Sequence, residues 1–402
     1  MNQASRQWKS IIALFLCTFF WGGLRSAYGV FFKEMLAAFD WPASQLAGLQ
    51  SLNLLIYGFV SPLIGGLITR YREVDYLSIL LGWALTTVGL ATSAFAHSYF
   101  TLLWLYGVLL GLGTTLASPV SFNIALNRRI TYRGGLAIGL VSAGVGIGTF
   151  LLTPQIQRAI LYYGWRQTMI FLSFPPLALG LLTLLLLERH PKERLAFPKT
   201  ASTGRMASLD WYKNVALIIF TPLQFFVIQF FITHGIKMMD IAGIIASHAV
   251  SIFALSGILN AIGRVIFGYL LDRVSLSLIG FINYSAILLT GISALLLSVY
   301  NSAIFAYITF VTMGLAWAIS IPQTVVLFNE VVGLERFAFY YGLTEAMIGF
   351  VGSLGAMVGG ISLDFFNGYE FGIFICIICT GLSILSYVSV LRTLKRQESW
   401  AK

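Results

Sequence analysis

Charged residues are scarce in this sequence. Only 10% of the 402 residues are Asp, Glu, Lys or Arg, whereas an ordinary soluble domain carries about 25%. So few charges cannot cover a surface that faces water, and the composition therefore excludes a soluble globular protein of this size. Because 58% of the residues are apolar, we expect a lipid bilayer to be the solvent of the folded chain.

Cysteine and the common catalytic motifs are also lacking. Cys17, Cys376 and Cys379 lie inside apolar runs, and Cys376-x-x-Cys379 has no second ligand pair, so we interpret all three as small apolar helix residues. The sequence contains no G-x-x-x-x-G-K-[ST] phosphate loop, no H-E-x-x-H and no other metal-type cluster. We therefore predict that the protein is not an enzyme, does not use ATP, and has no cofactor and no metal.

The formal net charge is +10, but the basic residues are spread over short loops and form no single patch, so nucleic acid is not an expected partner. With both termini inside, the inner segments hold 19 of the 25 Lys and Arg residues. The outer segments hold four, namely Lys33, Arg158, Arg166 and Lys237. By the positive-inside rule, this bias predicts a multi-pass protein of the cell inner membrane with cytoplasmic termini.

Twelve apolar stretches have the length of a transmembrane helix. They run roughly over residues 11–32, 44–68, 76–96, 101–126, 135–157, 167–187, 213–233, 242–270, 276–299, 302–327, 337–361 and 370–391. The first is too long for a signal peptide and lacks a small-residue cleavage site, so we expect it to be retained. A polar, basic segment separates the sixth stretch from the seventh. These features predict an N-terminal bundle of six helices (1–188), a cytoplasmic linker (189–212) and a C-terminal bundle of six helices (213–402).

An internal repeat supports this division. Displacing the chain by 203 residues superimposes Gly65 on Gly268, Arg70 on Arg273, Gly111 on Gly314, Pro119 on Pro322, Arg133 on Arg336, and Gly139-Leu140 on Gly342-Leu343. With one further residue of displacement, Gly164 matches Gly368. We interpret the shared positions as glycines at helix contacts, prolines at bends and arginines at cytoplasmic helix ends. Two parallel six-helix repeats are the signature of the major facilitator architecture, in which two halves move about a central site.

The loop after the second helix of each half resembles the G-x-L-x-D-R motif of major facilitator transporters. The second copy, Gly268 to Arg273, is complete, whereas the first has Thr69 where the family usually has Asp. The resemblance implies an all-α membrane fold of twelve helices in two bundles. It also implies a gating role for the residues in and around these loops, which are Arg70, Arg72, Arg133, Asp272, Arg273 and Arg336.

A narrower resemblance concerns the monocarboxylate porters and the oxalate/formate antiporters. It rests on Leu24 to Glu34, on Arg133 to Gly139, on Gly164-Trp165-Arg166, and on Asn260-x-x-x-Arg264. In monocarboxylate porters the position of Arg264 holds the arginine that binds the substrate. The eleventh helix has no Lys, unlike that of the oxalate antiporters. The resemblance implies transport of a small organic anion.

Three ionisable residues, Arg25, Arg264 and Glu345, fall within the apolar stretches. A charge in the bilayer core costs at least about 2.5–3.5 kcal/mol, so each is a candidate for function. Helical spacing places Arg25 on one face with Trp21, Tyr28 and Phe32, and Asn260 on the face of Arg264. We therefore predict that Arg25, Tyr28, Asn260 and Arg264 bind the substrate.

Glu345 and Arg264 are expected at similar depths, and we predict Glu345 as the proton-coupling residue. Other interpretations remain open, namely an Arg25 that reaches the interface, an Arg264 in a structural ion pair, and a fixed Glu345–Arg264 pair.

Other polar residues in the stretches more often make helix–helix hydrogen bonds than ligand contacts; they are Asn53, Tyr57, Ser121, Asn123, Ser142, Gln224, Gln229, His234 and Gln323. We expect His234 to be solvated at an outer helix end, and Pro119 and Pro322 to bend their helices. The leading prediction is a monomeric secondary transporter of a small organic anion, specifically a monocarboxylate, coupled to protons. The alternatives are an importer or exporter of larger compounds such as siderophores or drugs, and a membrane sensor or scaffold that transports nothing.

Overall fold

The computed structural model of the chain describes residues 3–71, 73–129, 134–187, 211–271 and 273–401. For residues 3–6, 69, 134–136, 211–213, 333–339 and 393–401, it describes the backbone alone. All regular structure in these ranges is helical, as hydrocarbon requires, because a membrane helix satisfies its own backbone hydrogen bonds. Of the linker expected at 189–212, residues 189–210 lie outside the described ranges.

The membrane helices are numbered α1 to α12 along the chain. In the first half they are α1 (Gln3–Ser26 and Tyr28–Ala38), α2 (Ala43–Arg70), α3 (Val74–Ser93), α4 (Tyr99–Leu102, a π-helical turn Leu103–Leu110, Gly111–Leu116 and Pro119–Asn127), and α5 and α6 (Gly134–Leu186, divided at Gly164). In the second half they are α7 (Trp211–Ile241), α8 (Ala246–Leu271), α9 (Leu276–Tyr300), α10 (Ala303–Val332) and α11 (Tyr340–Phe366) within one continuous helix, and α12 (Glu370–Ala401).

The division at Gly164 brings the number of spans to twelve. By length and hydropathy alone, eleven helical stretches of the described residues are able to cross a membrane, and one of them, Ala137–Leu186, has 50 residues. At about 1.5 Å per residue it is more than twice the length that spans a hydrocarbon core of about 30 Å. Gly164 interrupts it with φ 78° and ψ 162°, which is outside helical geometry. Twelve spans are therefore present in the described part of the chain, which confirms the prediction of a twelve-helix membrane fold.

Two helices of the first half are interrupted within the span. In α1, helical structure stops at Ser26 and resumes at Tyr28. In α4, Ala117 and Ser118 leave helical geometry immediately before Pro119, which begins the last segment. Proline has no backbone N–H to donate, so this break follows from the sequence. Pro322, in contrast, lies inside an uninterrupted helix.

Large apolar side chains cover much of the outer surface, and Phe100, Leu185 and Phe281 are among the most exposed of them. Such exposure would be unfavourable in water, and it is expected where lipid surrounds the helices. The interior contains tightly packed aromatic residues together with hydroxyl and amide side chains that bond to neighbouring helices.

One glycine contact recurs at positions that the repeat matches. A Cβ atom placed on Gly111 would meet Asn53, and one placed on Gly314 would meet Ser256; both pairs are related by 203 residues. Because successive helices run in opposite directions, Arg70 and Arg273 lie at one end of the bundle, here called the Arg70 end. Lys33, Asp240 and Asp364 lie at the opposite end, here called the Lys33 end.

Candidate functional site

A cavity of about 150 Å³ lies between the two halves, midway along the helices. It extends toward the Arg70 end, where Val141 and Tyr341 belong to its wall. The polar part of the wall consists of Thr18, Arg25, Ser26, Tyr57, Asn123, Ser142, Gln229, Arg264, Tyr341 and Glu345. All three ionisable residues that the sequence placed inside the membrane are thus brought together around one space.

Arg25 is held between aromatic rings on the first-half side of the cavity. Its guanidinium carbon lies 5.0 Å from the ring centre of Trp21 and 5.3 Å from that of Tyr57, which is within the range of a cation–π interaction. The Trp21 ring is itself fixed, because its Nε1 donates a hydrogen bond of 2.8 Å to the carbonyl of Thr114. The buried Nη1 of Arg25 has no hydrogen-bond partner among the described residues. The side chain is therefore positioned by stacking, and donor capacity remains available on the cavity side.

Arg264 reaches the same cavity from α8 in the second half. Its buried Nε also has no hydrogen-bond partner among the described residues. Asn260, one turn away, is fully buried and is not part of the cavity wall. Both polar atoms of its side-chain amide are unpaired within the described part of the protein. The structure thus places Arg264 in the cavity and Asn260 behind it.

Glu345 lies on α11 and is bonded to residues of both halves. Its Oε2 accepts a hydrogen bond of 3.1 Å from the hydroxyl of Tyr57 on α2, and Tyr341, one turn earlier on α11, also hydrogen-bonds to the carboxyl group. Within the described residues, no ion pair closer than 4.0 Å joins Glu345 to Arg264. Glu345 and Arg264 therefore line the same cavity but do not form the fixed ion pair that the sequence analysis kept as an alternative.

Tyr28 does not face the cavity, although helical spacing had grouped it with Arg25. Its ring is fully buried against Tyr106, and its hydroxyl donates a hydrogen bond to the carbonyl of Leu46. The physical reason is the distortion of α1 at Ala27, whose ψ of −7° departs from the regular helical value although the backbone hydrogen bonds from Ala27 to Gly23 and from Phe31 to Ala27 are kept. A face deduced from regular 3.6-residue periodicity shifts across such a distortion.

The Lys33 end of the cavity is closed by polar contacts between the halves. Lys33 on α1 forms an ion pair of 2.7 Å with Asp240 on α7. The carboxylate of Asp364 on α11 accepts hydrogen bonds of 2.7 and 2.8 Å from the backbone N–H groups of Ala43 and Ser44, at the start of α2. A carboxylate at a helix N-terminus is favourable for both hydrogen bonding and the helix dipole. These contacts hold the helices together on one side of the cavity.

The residues predicted to form the gating motif are only partly described. Arg70 and Arg273 are exposed, and their guanidinium carbons stack on the rings of Tyr71 and Tyr269 at 5.5 and 4.1 Å. Arg72, Arg133 and Asp272 lie outside the described residues, as does the side chain of Arg336.

At the Arg70 end of the first half, the carboxylate of Asp75 is fully buried. It pairs with Arg129 at 2.6 Å and with Arg128 at 3.5 Å. The pairing ties the start of α3 to the end of α4.

The remaining polar candidates divide into two groups. Tyr57, Asn123, Ser142 and Gln229 belong to the cavity wall. Four others make hydrogen bonds inside the bundle: Asn53 with Tyr106, Ser121 with Leu116, Gln224 with Ser320, and Gln323 with Asn283. Tyr341 and Trp317 of the wall were not identified from the sequence. The four-residue spacing between Tyr341 and Glu345 was a usable signal, because it places both on one helix face.

The expectation for His234 is wrong. The side chain is not solvated but fully buried, because α11 and α12 of its own half enclose it together with Phe32 of the other half. Its ring packs at 4.7 Å from that of Phe32 of the other half, with an angle of 81° between the ring planes.

Comparison with known proteins agrees with this architecture. The family model of the Major Facilitator Superfamily matches residues 14–356. Monocarboxylate transporter 13 of Bos taurus is 25% identical over 370 residues, which cover 90% of this chain and 84% of the relative. The MFS-type transporter YcxA of Bacillus subtilis, described as uncharacterized, is 23% identical over 98% of this chain and 97% of its own length.

Among solved structures, that of the nucleoside transporter NupG superimposes with a TM-score of 0.73 at 15% identity, over 98% of this chain and all of the other. At this identity the likeness shows the fold alone. The family model, in contrast, covers most of the sequence, including eleven of the twelve helices in whole or in part. The chain therefore belongs to the major facilitator superfamily of membrane transporters.

Proposed function

We propose that the protein is a secondary transporter that moves a small organic anion, most simply a monocarboxylate, by alternating access and together with a proton. One observation carries the proposal. Arg25 and Arg264, one from each half, line the same cavity, and each has a buried donor nitrogen that no described residue bonds. A guanidinium group presents parallel N–H donors that match the two oxygens of a carboxylate.

The cavity supports a small substrate. Its volume of about 150 Å³ is below the range of about 300–1,000 Å³ that is usual for pockets that hold drug-sized ligands. Trp21, Phe225, Trp317 and Ile348 supply apolar surface beside the two guanidinium groups, which suits an anion with a short apolar tail. The names of relatives such as monocarboxylate transporter 13 of Bos taurus point to the same class of substrate.

Glu345 is the proposed proton carrier. It shares the cavity with Arg264 but is bonded to tyrosine hydroxyls, which can donate to a carboxylate or to the carbonyl oxygen of a carboxylic acid. A substrate carboxylate bound to Arg264 removes a stabilising positive charge from the surroundings of Glu345, so binding of the anion favours uptake of a proton. Coupling then follows because the substrate neutralises the positive charge that otherwise stabilises the ionised form of Glu345.

The positive-inside rule makes the Arg70 end cytoplasmic in this proposal. The contacts of Lys33 and Asp364 then close the outer side, and the cavity extends toward the inside. In the opposite conformation these contacts separate, and the two halves close at the Arg70 end. We also retain the predicted division into bundles at residues 1–188 and 213–402.

The transported substrate can be tested with the purified chain in liposomes. We expect saturable uptake of radiolabelled lactate or pyruvate, which accelerates when the outside is made acidic. Oxalate and a siderophore serve as comparisons for a dianion and for a large substrate. Uptake of the siderophore without any of the small acids would support the alternative of a transporter for large compounds, and no flux of any compound would favour a sensor or scaffold.

Replacing Glu345 by glutamine is expected to separate transport from proton coupling. Glutamine resembles the protonated acid and can still accept the hydrogen bond from Tyr57. Exchange of internal for external substrate should therefore persist, whereas acceleration by an imposed proton gradient should be lost. Glu370→Gln, an exposed site at the start of α12, is the matched control. Undiminished acceleration in Glu345→Gln would rule out this residue as the proton carrier.

A further inference from the structure

We propose that His234 is a second proton-binding site, separate from the cavity, and that its protonation favours the conformation in which the Lys33 end is open. The inference rests on the alternating access of the proposed function, but it does not depend on the substrate or on Glu345. His234 is a buried titratable side chain that has no role in the transport cycle proposed above.

Both ring nitrogens of His234 have partners when the imidazole is neutral. Nε2 lies 2.7 Å from the carbonyl oxygen of Ala356, so it carries the proton and donates. Nδ1 lies 3.3 Å from the hydroxyl of Tyr369 and accepts from it. The ring lies against the backbone of α11 at Gly359, where an added Cβ atom would meet the imidazole. The site is therefore built around the neutral ring.

The site lies at the contact between the two halves. Phe32 of α1 covers the His234 ring from the opposite half, and the next residue, Lys33, forms the ion pair with Asp240. Gly29, one turn earlier on α1, packs against the backbone of Ile232. Any movement that separates α1 from α7 at this end therefore breaks the ion pair and uncovers the imidazole together.

Among the described residues, no carboxylate forms an ion pair with His234 while the end is closed. The helices that pack against it and its own helix carry, near the same end, Lys33 on α1, Lys237 and Asp240 on α7, Asp364 on α11, and Tyr369 and Glu370 on α12. Within the described residues, none of the three carboxylates lies within 4.0 Å of the imidazole nitrogens. An unpaired buried charge is strongly disfavoured.

Asp240 and Asp364 are also occupied at the closed end. Asp240 pairs with Lys33 and Lys237, and Asp364 caps α2.

Opening of the Lys33 end changes both the burial of the imidazole and the pairing of the two acids. Water reaches the ring once Phe32 withdraws, and Asp240 and Asp364 lose their partners on the first half. An imidazolium ion is then hydrated and faces two carboxylates. Since a ligand shifts a conformational equilibrium toward the state that binds it better, acid should populate the state in which the Lys33 end is open.

The test measures conformation in the absence of substrate. Cysteines introduced at Tyr162 and Ile245, exposed positions at the Lys33 end of the two halves, carry spin labels in a chain in which Cys17, Cys376 and Cys379 are replaced by alanine. Distances are recorded in nanodiscs at pH 7.5 and 5.5. A solvated histidine titrates near pH 6.5, so the ratio of open to closed molecules should rise by about tenfold. In His234→Gln, whose amide can still donate to Ala356, the rise should fall below about twofold.

Three further variants make the outcome decisive. His248→Gln changes an exposed histidine of α8 and should keep the full response, as should Glu345→Gln. His234→Asn provides a second neutral side chain in case the glutamine variant does not fold. A response that survives in the neutral variants at 234, or that disappears in Glu345→Gln, would overturn the proposal. Loss of proton-driven uptake in Glu345→Gln with an intact conformational response would uphold it and separate the two sites.

Discussion

Replacing Arg264 by lysine is expected to lower uptake about tenfold to a hundredfold at substrate concentrations below KM, with little effect on folding. Lysine keeps the positive charge, but it offers a compact, strongly hydrated ammonium group in place of a planar pair of donors. A hydrogen bond to a charged group contributes about 1.5–3 kcal/mol, and every 1.4 kcal/mol corresponds to about a factor of ten. Loss of one of two parallel bonds to the substrate carboxylate gives the stated range.

The measurement is initial uptake in liposomes against substrate concentration, with monodispersity in detergent as the check on folding. The matched control is Arg158→Lys, the same chemical change at an exposed position at the Lys33 end of α5. Uptake by Arg264→Lys within threefold of that control would mean that this guanidinium does not hold the substrate. In that case Arg25, which stacks on Trp21 and Tyr57, would remain as the anion-binding group to test in the same way.

The fold was largely predictable because the length of each apolar run decides whether that run can span a membrane, and this length is read directly from the sequence. The interruptions were less so. Gly164 fell between two expected spans, whereas the break of α1 at Ala27 has no glycine or proline at that position. The helix face that carries Trp21 and Arg25 was therefore predicted correctly as far as Ser26, but its extension to Tyr28 was not. Periodicity describes one helix only for as long as it stays regular.

The candidate site was predictable in part because a charged residue inside a membrane is costly and therefore marks a position with a function. Arg25, Arg264 and Glu345 stand out in apolar runs, and all three line the cavity. Their partners could not be found in this way. Tyr57 bonds to Glu345 from 288 residues away, and such a pairing depends on how two bundles dock. The burial of His234 depends only in part on that docking, because Phe32 covers the ring from the other half, whereas Ala356, Gly359 and Tyr369 of its own half enclose the rest of it.

Glycine positions show the same limit. The repeat matched Gly139 with Gly342, which suggested helix contacts, but a Cβ atom on either would meet nothing within 4 Å. The close contacts occur seven residues later, at Gly146 and Gly349, which are also 203 residues apart. Gly146 on α5 packs against Gly257 and Ala261 on α8, and Gly349 on α11 packs against Leu54 and Gly58 on α2. These two crossings join the halves on either side of the cavity.

Substituting alanine for Gly146 or Gly349 is expected to reduce the transport rate about tenfold or more. A Cβ atom on Gly146 would lie 2.3 Å from the carbonyl oxygen of Gly257, and one on Gly349 would lie 2.4 Å from the backbone nitrogen of Gly58. Both distances are far below van der Waals contact with rigid backbone, so the helices must separate. Because the proposed alternating access moves one half against the other at each crossing, a displaced contact should hinder the conformational change more than substrate binding.

Gly139→Ala and Gly342→Ala provide controls on the same helices. Alanine is favoured over glycine in a helix by about 1 kcal/mol, and both positions have open space, so these variants should transport normally and be at least as stable. Measurement of exchange and net uptake for all four proteins compares an identical chemical change at contact and non-contact positions. Normal turnover in Gly146→Ala and Gly349→Ala would show that the halves do not move against each other at these crossings. A slow rate at all four positions would mean that helix flexibility, and not close approach, requires the glycines.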